Sequence, residues 1–154
     1  MSKSYVFPYG IALREDAKIS ISPVAEVGFL NKEGDWLSLF LLIDSGATIS
    51  ALPRSDASVF GIDVEKGTPI IITGIGKESL AGWQHSVKIR FGQEVVSIPI
   101  VFLENDSAPR VLGRKGIFGY YTIIFEEKKG RSAFFGVSSR EARSISKVID
   151  KIST

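Results

Sequence analysis

Hydrophobic and polar residues alternate with a period of two along much of the chain. In the stretch 84–91, Val87, Ile89 and Phe91 are separated by charged residues, which predicts a half-buried β-strand. Many short strands joined by tight turns favour an all-β fold, either a barrel or a sandwich. Similar runs bounded by turn residues predict further strands at 18–22, 24–30, 36–43, 49–52, 70–73, 80–83, 95–103, 120–125 and 132–137.

The spacing of apolar residues becomes helical near the C-terminus. The capping-box sequence Ser138-Ser139-Arg140-Glu141 precedes this stretch, which predicts one amphipathic helix. A shorter helical turn is predicted between Pro53 and Gly61. We therefore divide the chain into an N-terminal arm (1–17), a β domain (18–137) and a C-terminal helix (138–154). The apolar residues at helical spacing are Ala142, Ile145, Val148, Ile149 and Ile152.

One apolar run ends in a carboxylate. Leu39 to Ile43 are all apolar, and Asp44 follows them directly, with Gly46 two residues later. The run predicts a strand buried on both faces. An ionised aspartate at the end of such a strand loses hydration unless hydrogen bonds or a nearby charge compensate for it. Asp44 is therefore the first candidate functional residue.

Three sequence stretches carry a resemblance to a known family. They are Asp44-Ser45-Gly46-Ala47-Thr48 after the apolar strand, Ile72-Thr73-Gly74-Ile75-Gly76, and Val111-Leu112-Gly113-Arg114 followed by Ile117-Phe118. In this order they resemble the retropepsin-like branch of the aspartic proteases, as a prokaryotic-type single-domain member, and the combination is more specific than any one of them. The resemblance implies a closed retropepsin-like β-barrel with a glycine-rich flap hairpin, to which the predicted C-terminal helix is added.

The resemblance also implies an aspartic endopeptidase. Aspartic proteolysis needs two carboxylates close enough to share a proton, so that one activates water while the other protonates or stabilises the carbonyl oxygen. The chain has a single Asp-Ser-Gly, because Asp56-Ala57-Ser58 and Asp106-Ser107-Ala108 lack the glycine. Asp44 from each of two subunits would then form the site, which predicts a homodimer that acts on a peptide or protein substrate.

The resemblance assigns roles to the residues around Asp44. Ser45 would form hydrogen bonds near the two-fold axis, Gly46 would allow close backbone approach, and Arg114 would be an anchor near the dimer interface. Thr48 departs from the family pattern, since retroviral members often carry an acidic residue there that pairs with the arginine. The residues expected to support the active-site loop are Ser45, Gly46, Ala47, Thr48, Gly113 and Arg114. The residues expected in the substrate-binding flap are Gly74, Ile75, Gly76 and Lys77.

Each of these residues also has a purely structural interpretation. Asp44 can be a turn aspartate that binds its own backbone two residues on, and Gly74 and Gly76 can belong to an ordinary hairpin turn. Arg114 can be a surface arginine. An aspartate nucleophile for phosphoryl transfer would need strands alternating with helices, whereas this chain predicts hairpins. The alternative function is a non-catalytic retropepsin-like β module for dimerisation or peptide binding.

Composition narrows the function classes. With 154 residues, of which 44% are hydrophobic and 23% charged, the chain is long enough for one domain with its own core. The absence of cysteine excludes disulfides and thiolate chemistry. The only histidine, His85, lies in a predicted strand, and we interpret it as structural.

Charge and hydropathy set the expected partners and location. The net charge of +2 gives no strong attraction to nucleic acid. No apolar run approaches the ~20 residues of a membrane helix, and the N-terminal residues lack the apolar centre of a signal peptide. We therefore expect a cytoplasmic protein that binds a second copy of itself and a peptide, with no metal ion and no organic cofactor.

Overall fold

Short β-strands dominate the secondary structure in a computed structural model that describes residues 1–13, 18–73 and 79–153. This agrees with the predicted mainly β fold. The strands are β1 (Ser4–Pro8), β2 (Gly10–Leu13), β3 (Ile19–Ser22), β4 (Val24–Leu30), β5 (Trp36–Ile43), β6 (Ser50–Pro53), β7 (Thr68–Thr73), β8 (Ser79–Phe91), β9 (Glu94–Leu103), β10 (Val111–Leu112), β11 (Tyr121–Glu126) and β12 (Arg131–Gly136). The α-helices are α1 (Arg54–Val59) and α2 (Arg140–Ile152), and short 3-10 turns lie at Val64–Lys66, Phe118–Tyr120 and Glu127–Lys129.

Contacts group the chain into two compact units. The terminal unit consists of Met1–Val24 and Ile117–Thr154, and the central unit consists of Ala25–Gly116. The central unit therefore contains Asp44, Gly113 and Arg114. The sequence-based division into arm, β domain and C-terminal helix stays a prediction.

The terminal unit contains a three-stranded antiparallel sheet in the order β1-β12-β11 and a separate antiparallel pair of strands, β2 and β3. Tyr121 and Phe134 are buried in this unit, with their rings edge to face at 5.8 Å. Helix α2 starts after Ser139, whose hydroxyl accepts a 3.0 Å hydrogen bond from the Ala142 N–H. A serine in the predicted capping box thus caps the helix.

The central unit contains a seven-stranded mixed sheet in the order β4-β5-β10-β6-β9-β8-β7, and β4 also pairs with β8. Strand β10 is inserted between β5 and β6, parallel to the first and antiparallel to the second. The core side chains of this unit have no solvent exposure because the strands alternate inward and outward. They include Val27, Phe29, Leu41, Leu52, Ile89, Phe91, Ile100, Phe102 and Leu112.

Strand β5 differs from its prediction. Leu41 and Ile43 are buried, but Phe40, on the opposite face of the strand, is 64% exposed and Leu42 is half-buried, so the prediction of burial on both faces is wrong for the face that carries Phe40. A run of apolar residues does not reveal which face of a strand the rest of the fold covers.

Helix length and hydropathy give one further result. Within the described ranges, none of the helices combines the length and the apolar character needed to cross a membrane.

Candidate active site

Asp44 lies directly after the last residue of β5, where the chain leaves the sheet. Its own N–H donates a 3.1 Å hydrogen bond to the carbonyl oxygen of Leu112 in the inserted strand β10. The residue is half-buried, whereas Ser45 and Gly46 beyond it are exposed. Strands β5 and β10 thus deliver one carboxyl group to the start of an exposed loop.

Main-chain amides orient the carboxyl group of Asp44. Its Oδ1 accepts hydrogen bonds from the N–H of Gly46 at 2.8 Å and the N–H of Ala47 at 3.2 Å. A Cβ atom on residue 46 would lie 3.1 Å from the same oxygen, so a glycine suits this position. No donor among the described residues reaches Oδ2. The turn-type hydrogen bonds therefore fix one oxygen and leave the other available.

The segment after β10 runs along the Asp44 loop and binds it through the main chain. The N–H of Arg114 donates to the carbonyl of Ala47 at 3.0 Å, and the N–H of Lys115 donates to the carbonyl of Thr48 at 2.9 Å. The N–H of Gly113 donates to the hydroxyl of Ser50 at 3.0 Å. The two sequence stretches that were singled out separately are therefore hydrogen-bonded neighbours.

Gly113 owes its place to this close approach. A Cβ atom on residue 113 would lie 2.4 Å from both the carbonyl carbon and the oxygen of Ile49, and 2.8 Å from the Ser50 nitrogen. These are backbone atoms, so no side-chain rotation relieves the overlap. Only glycine fits here without a backbone shift.

Arg114 has an exposed side chain. One of its guanidinium nitrogens lies 3.5 Å from the Thr48 hydroxyl, which is long for a hydrogen bond. Over the parts of the chain that the structure describes, this guanidinium forms no ion pair with a carboxylate. Arg114 contributes to the loop through its backbone N–H, and among the described residues its side chain makes only the long contact with Thr48.

Sequence reasoning missed several residues that hold this region together. Ser50 is fully buried, and the only sequence signal for it is a lone polar residue in a short apolar strand. Asp56 forms a two-pronged ion pair with Arg110, at 2.7 and 2.8 Å. Asp106 accepts a 2.8 Å hydrogen bond from the Ser55 N–H. Asp56 and Asp106, which were compared with the Asp-Ser-Gly motif, thus have structural partners.

Other sequence predictions have different outcomes. The predicted flap residues Gly74, Ile75, Gly76 and Lys77 lie outside the described residues, and the strands on either side pair antiparallel up to Thr73 opposite Ser79. The Nε2 atom of His85 lies 2.9 Å from the Val64 carbonyl oxygen, a structural contact in keeping with its interpretation. Within the described ranges, no group of three or more His, Cys, Asp or Glu side chains is placed to hold a metal ion.

Comparison with known proteins supports one family. A sequence profile described as "Aspartyl protease" matches residues 37–121. A search of curated proteins finds no match. Among solved structures, the chain is similar to the crystal structure of a retropepsin-like aspartic protease from Rickettsia conorii, with a TM-score of 0.59 and 16% identity over 86% of this chain and 99% of the other. At that identity the likeness shows the fold, which is retropepsin-like. Because the profile covers more than half of the sequence and includes both Asp44 and Gly113, the chain belongs to the aspartyl protease family.

Proposed function

We propose that this protein is a homodimeric aspartic endopeptidase in which Asp44 from each of two copies activates one water molecule. The observation that carries the proposal is the Asp44 carboxyl group itself. Two main-chain amides hold Oδ1, while no described donor reaches Oδ2, so one oxygen is oriented and the other can bind water or the second carboxyl group. The family match covers this loop.

A second copy is needed because the chemistry requires two acids and each chain supplies one in this motif. Two carboxyl groups at short distance cannot both ionise, so they share a proton and act as base and acid in turn. Both oxygens of Asp56 bind Arg110, and Asp106 binds helix α1 at Ser55. Because the carboxyl groups of Asp56 and Asp106 already have partners, neither is a good candidate for the second catalytic acid. This favours Asp44 of another copy, related by a two-fold axis.

The exposed loop residues fit such an axis. Ser45, Gly46 and Thr48 are exposed in the single chain. The N–H groups of residues 113–115 bind the loop through hydrogen bonds. In the proposed dimer, Ser45 and Gly46 would meet their equivalents, and Ala47, Thr48, Gly113 and Arg114 would support the loop. Three sequence-based expectations belong to the same proposal: a closed barrel, a peptide-covering flap at Gly74 to Lys77, and a cytoplasmic location.

Substituting Asp44 tests the catalytic role. Asp44→Asn keeps the size of the side chain and removes its charge, and we expect peptidase activity on a broad peptide library to fall by roughly 10³-fold or more. Asp63→Asn is the matched control, because Asp63 is an exposed partner of Lys66 outside the loop, and it should retain wild-type activity. Unchanged activity in Asp44→Asn would exclude the proposed chemistry.

Mixed dimers test the sharing of one site. If wild-type and Asp44→Asn chains are unfolded together at equal amounts and refolded, random pairing leaves about a quarter of the all-wild-type activity when each site needs two chains. Independent sites in single chains would leave about half. If wild-type protein has no activity from acid to neutral pH, the alternative of a non-catalytic β module for dimerisation or peptide binding is favoured.

A further inference from the structure

The central unit contains an ion pair between the buried Asp56 and the exposed Arg110. Asp56 is in the first turn of α1 and only 6% exposed. The Nε of Arg110 donates to its Oδ2 at 2.7 Å, and an Nη donates to its Oδ1 at 2.8 Å. This two-pronged geometry is the strong form of an arginine–carboxylate contact. The hydrogen bond and the charge of Asp56 raise the pKa of Arg110, against the opposing effect of burial.

Arg110 also binds the strand that carries Asp44. Its carbonyl oxygen accepts a 2.9 Å hydrogen bond from the N–H of Leu42, two residues before Asp44. Strand β10 begins at the next residue and pairs with β5 at Leu42 and Ile43 only. Because a two-residue strand has few hydrogen bonds to fix its register, the residue that anchors its start has a large share in placing it.

The segment that precedes β10 forms a second contact with α1. The Asp106 carboxylate accepts a hydrogen bond from the Ser55 N–H, next to Asp56 in sequence. Helix α1 therefore holds the segment 106–110 at both ends. From Arg110 onward, the chain makes its successive contacts with β5 and with the Asp44 loop up to Lys115.

We propose that Asp56 and Arg110 form a positioning pair that sets the placement of β10 and, through it, the orientation of the Asp44 carboxyl group. This inference rests on the proposed function, and neither residue is assigned a contact with substrate. A displacement of reacting groups by about 1 Å can cost roughly 10²-fold in rate. Breaking the pair should therefore lower kcat much more than it changes KM.

The test compares Arg110→Met, Arg110→Lys and Asp56→Asn with a control in the same helix region. Arg110→Met removes both the positive charge and the two guanidinium donors, whereas Arg110→Lys keeps the charge but cannot form the two-pronged contact. The control is Glu65→Gln, which breaks the exposed Arg54–Glu65 ion pair and should behave as wild type. We expect kcat to fall about 10- to 100-fold in Arg110→Met and Asp56→Asn, and less in Arg110→Lys, with KM within about threefold.

Two readouts separate positioning from loss of folded protein. A changed separation of the two Asp44 carboxyl groups alters how they share a proton, so the pH profile of kcat should shift; a smaller folded fraction would scale the profile without shifting it. Hydrogen exchange should be accelerated at the Leu42 and Asp44 amides, which donate to Arg110 and Leu112, while amides of β8 and β9 keep their wild-type rates.

The exchange measurement also keeps the inference separable from the proposed function. If wild-type protein has no peptidase activity, local acceleration at Leu42 and Asp44 still supports a positioning pair. Unchanged kcat, pH profile and exchange in folded Arg110→Met would overturn the inference, and so would acceleration spread evenly over residues 25–116. If Arg110→Met does not fold, the same outcomes in Arg110→Lys and Asp56→Asn decide.

Discussion

Adding one methyl group at Gly113 should separate the two backbone segments that carry the candidate site. In Gly113→Ala, the new Cβ would lie 2.4 Å from the carbonyl carbon and oxygen of Ile49. Ordinary contact begins at 3.4 Å, so one segment must move by about 1 Å. Overpacking of this kind costs ~1–3 kcal/mol. The shift also stretches the 3.0 Å hydrogen bond to Ser50, and a buried donor without a partner costs ~1–3 kcal/mol.

The two costs together predict that Gly113→Ala lowers the free energy of unfolding by about 2–6 kcal/mol. That is a large part of the total of ~5–15 kcal/mol for a typical domain. Both tryptophans, Trp36 and Trp83, lie in the central unit, so their fluorescence during urea unfolding reports on the unit that contains Gly113. The urea midpoint should fall by roughly 1–3 M, and peptidase activity should fall with it even where the protein is folded.

Gly119→Ala is the matched control for this substitution. A Cβ atom there would meet no described heavy atom within 4 Å, so its unfolding free energy should change by less than about 1 kcal/mol. Because Gly119 lies in the terminal unit, far-UV circular dichroism, which senses both units, is measured for both variants. If Gly113→Ala were as stable as wild type to within about 0.5 kcal/mol and equally active, the close approach of residues 49 and 113 could not be a constraint on the site.

Two further predictions concern charged side chains. Arg114→Ala should change the free energy of urea unfolding by no more than about 0.5 kcal/mol, because the side chain is exposed and forms no described ion pair. A fall in solution mass without loss of stability would place the guanidinium at the dimer interface. A large loss of stability would contradict the geometry. Hydrogen bonds from Arg131 and then Lys129 hold the pKa of Glu126 below its ordinary value, so its contribution to stability is present above the ordinary glutamate pKa and lost as pH falls through the lowered one. Glu126→Gln should therefore weaken the pH dependence of the amide protection factors in the β11–β12 hairpin at acid pH. If the protection factors of Glu126→Gln change with pH as those of the wild type do, this contribution is excluded.

Local features could be predicted because their causes are local. The helical turn expected between Pro53 and Gly61 corresponds to α1, and the strand expected after the Asp44 loop corresponds to β6. The stretches 80–83 and 84–91 were predicted as two strands but form the single strand β8. Gln84 and His85 interrupt the alternation of apolar and polar residues, but the strand continues through them because both pair with β9.

Contacts distant in sequence could not be predicted from periodicity. The hydrogen bond between Ser50 and Gly113 joins residues 63 apart, and the ion pair between Asp56 and Arg110 joins residues 54 apart. Neither Ser50 nor Arg110 stands in a pattern that names a partner. The resemblance brought Gly113 and Arg114 to attention, but only the insertion of β10 between β5 and β6 explains why they lie beside Asp44.

The adjacent residues Gly113 and Arg114 were predicted as one supporting element, yet they act by different means. Residue 113 must be a glycine because a Cβ atom there would overlap the backbone at Ile49. Arg114 supports the loop through an N–H that every residue except proline supplies, whereas its side chain is exposed and makes only one long contact, to the Thr48 hydroxyl, among the described residues. The identity of residue 113 is therefore explained by contacts within one chain, whereas the contacts of the described residues give no comparable reason for an arginine at 114. We therefore expect its reason in a contact with a second copy, which the proposed homodimer would supply.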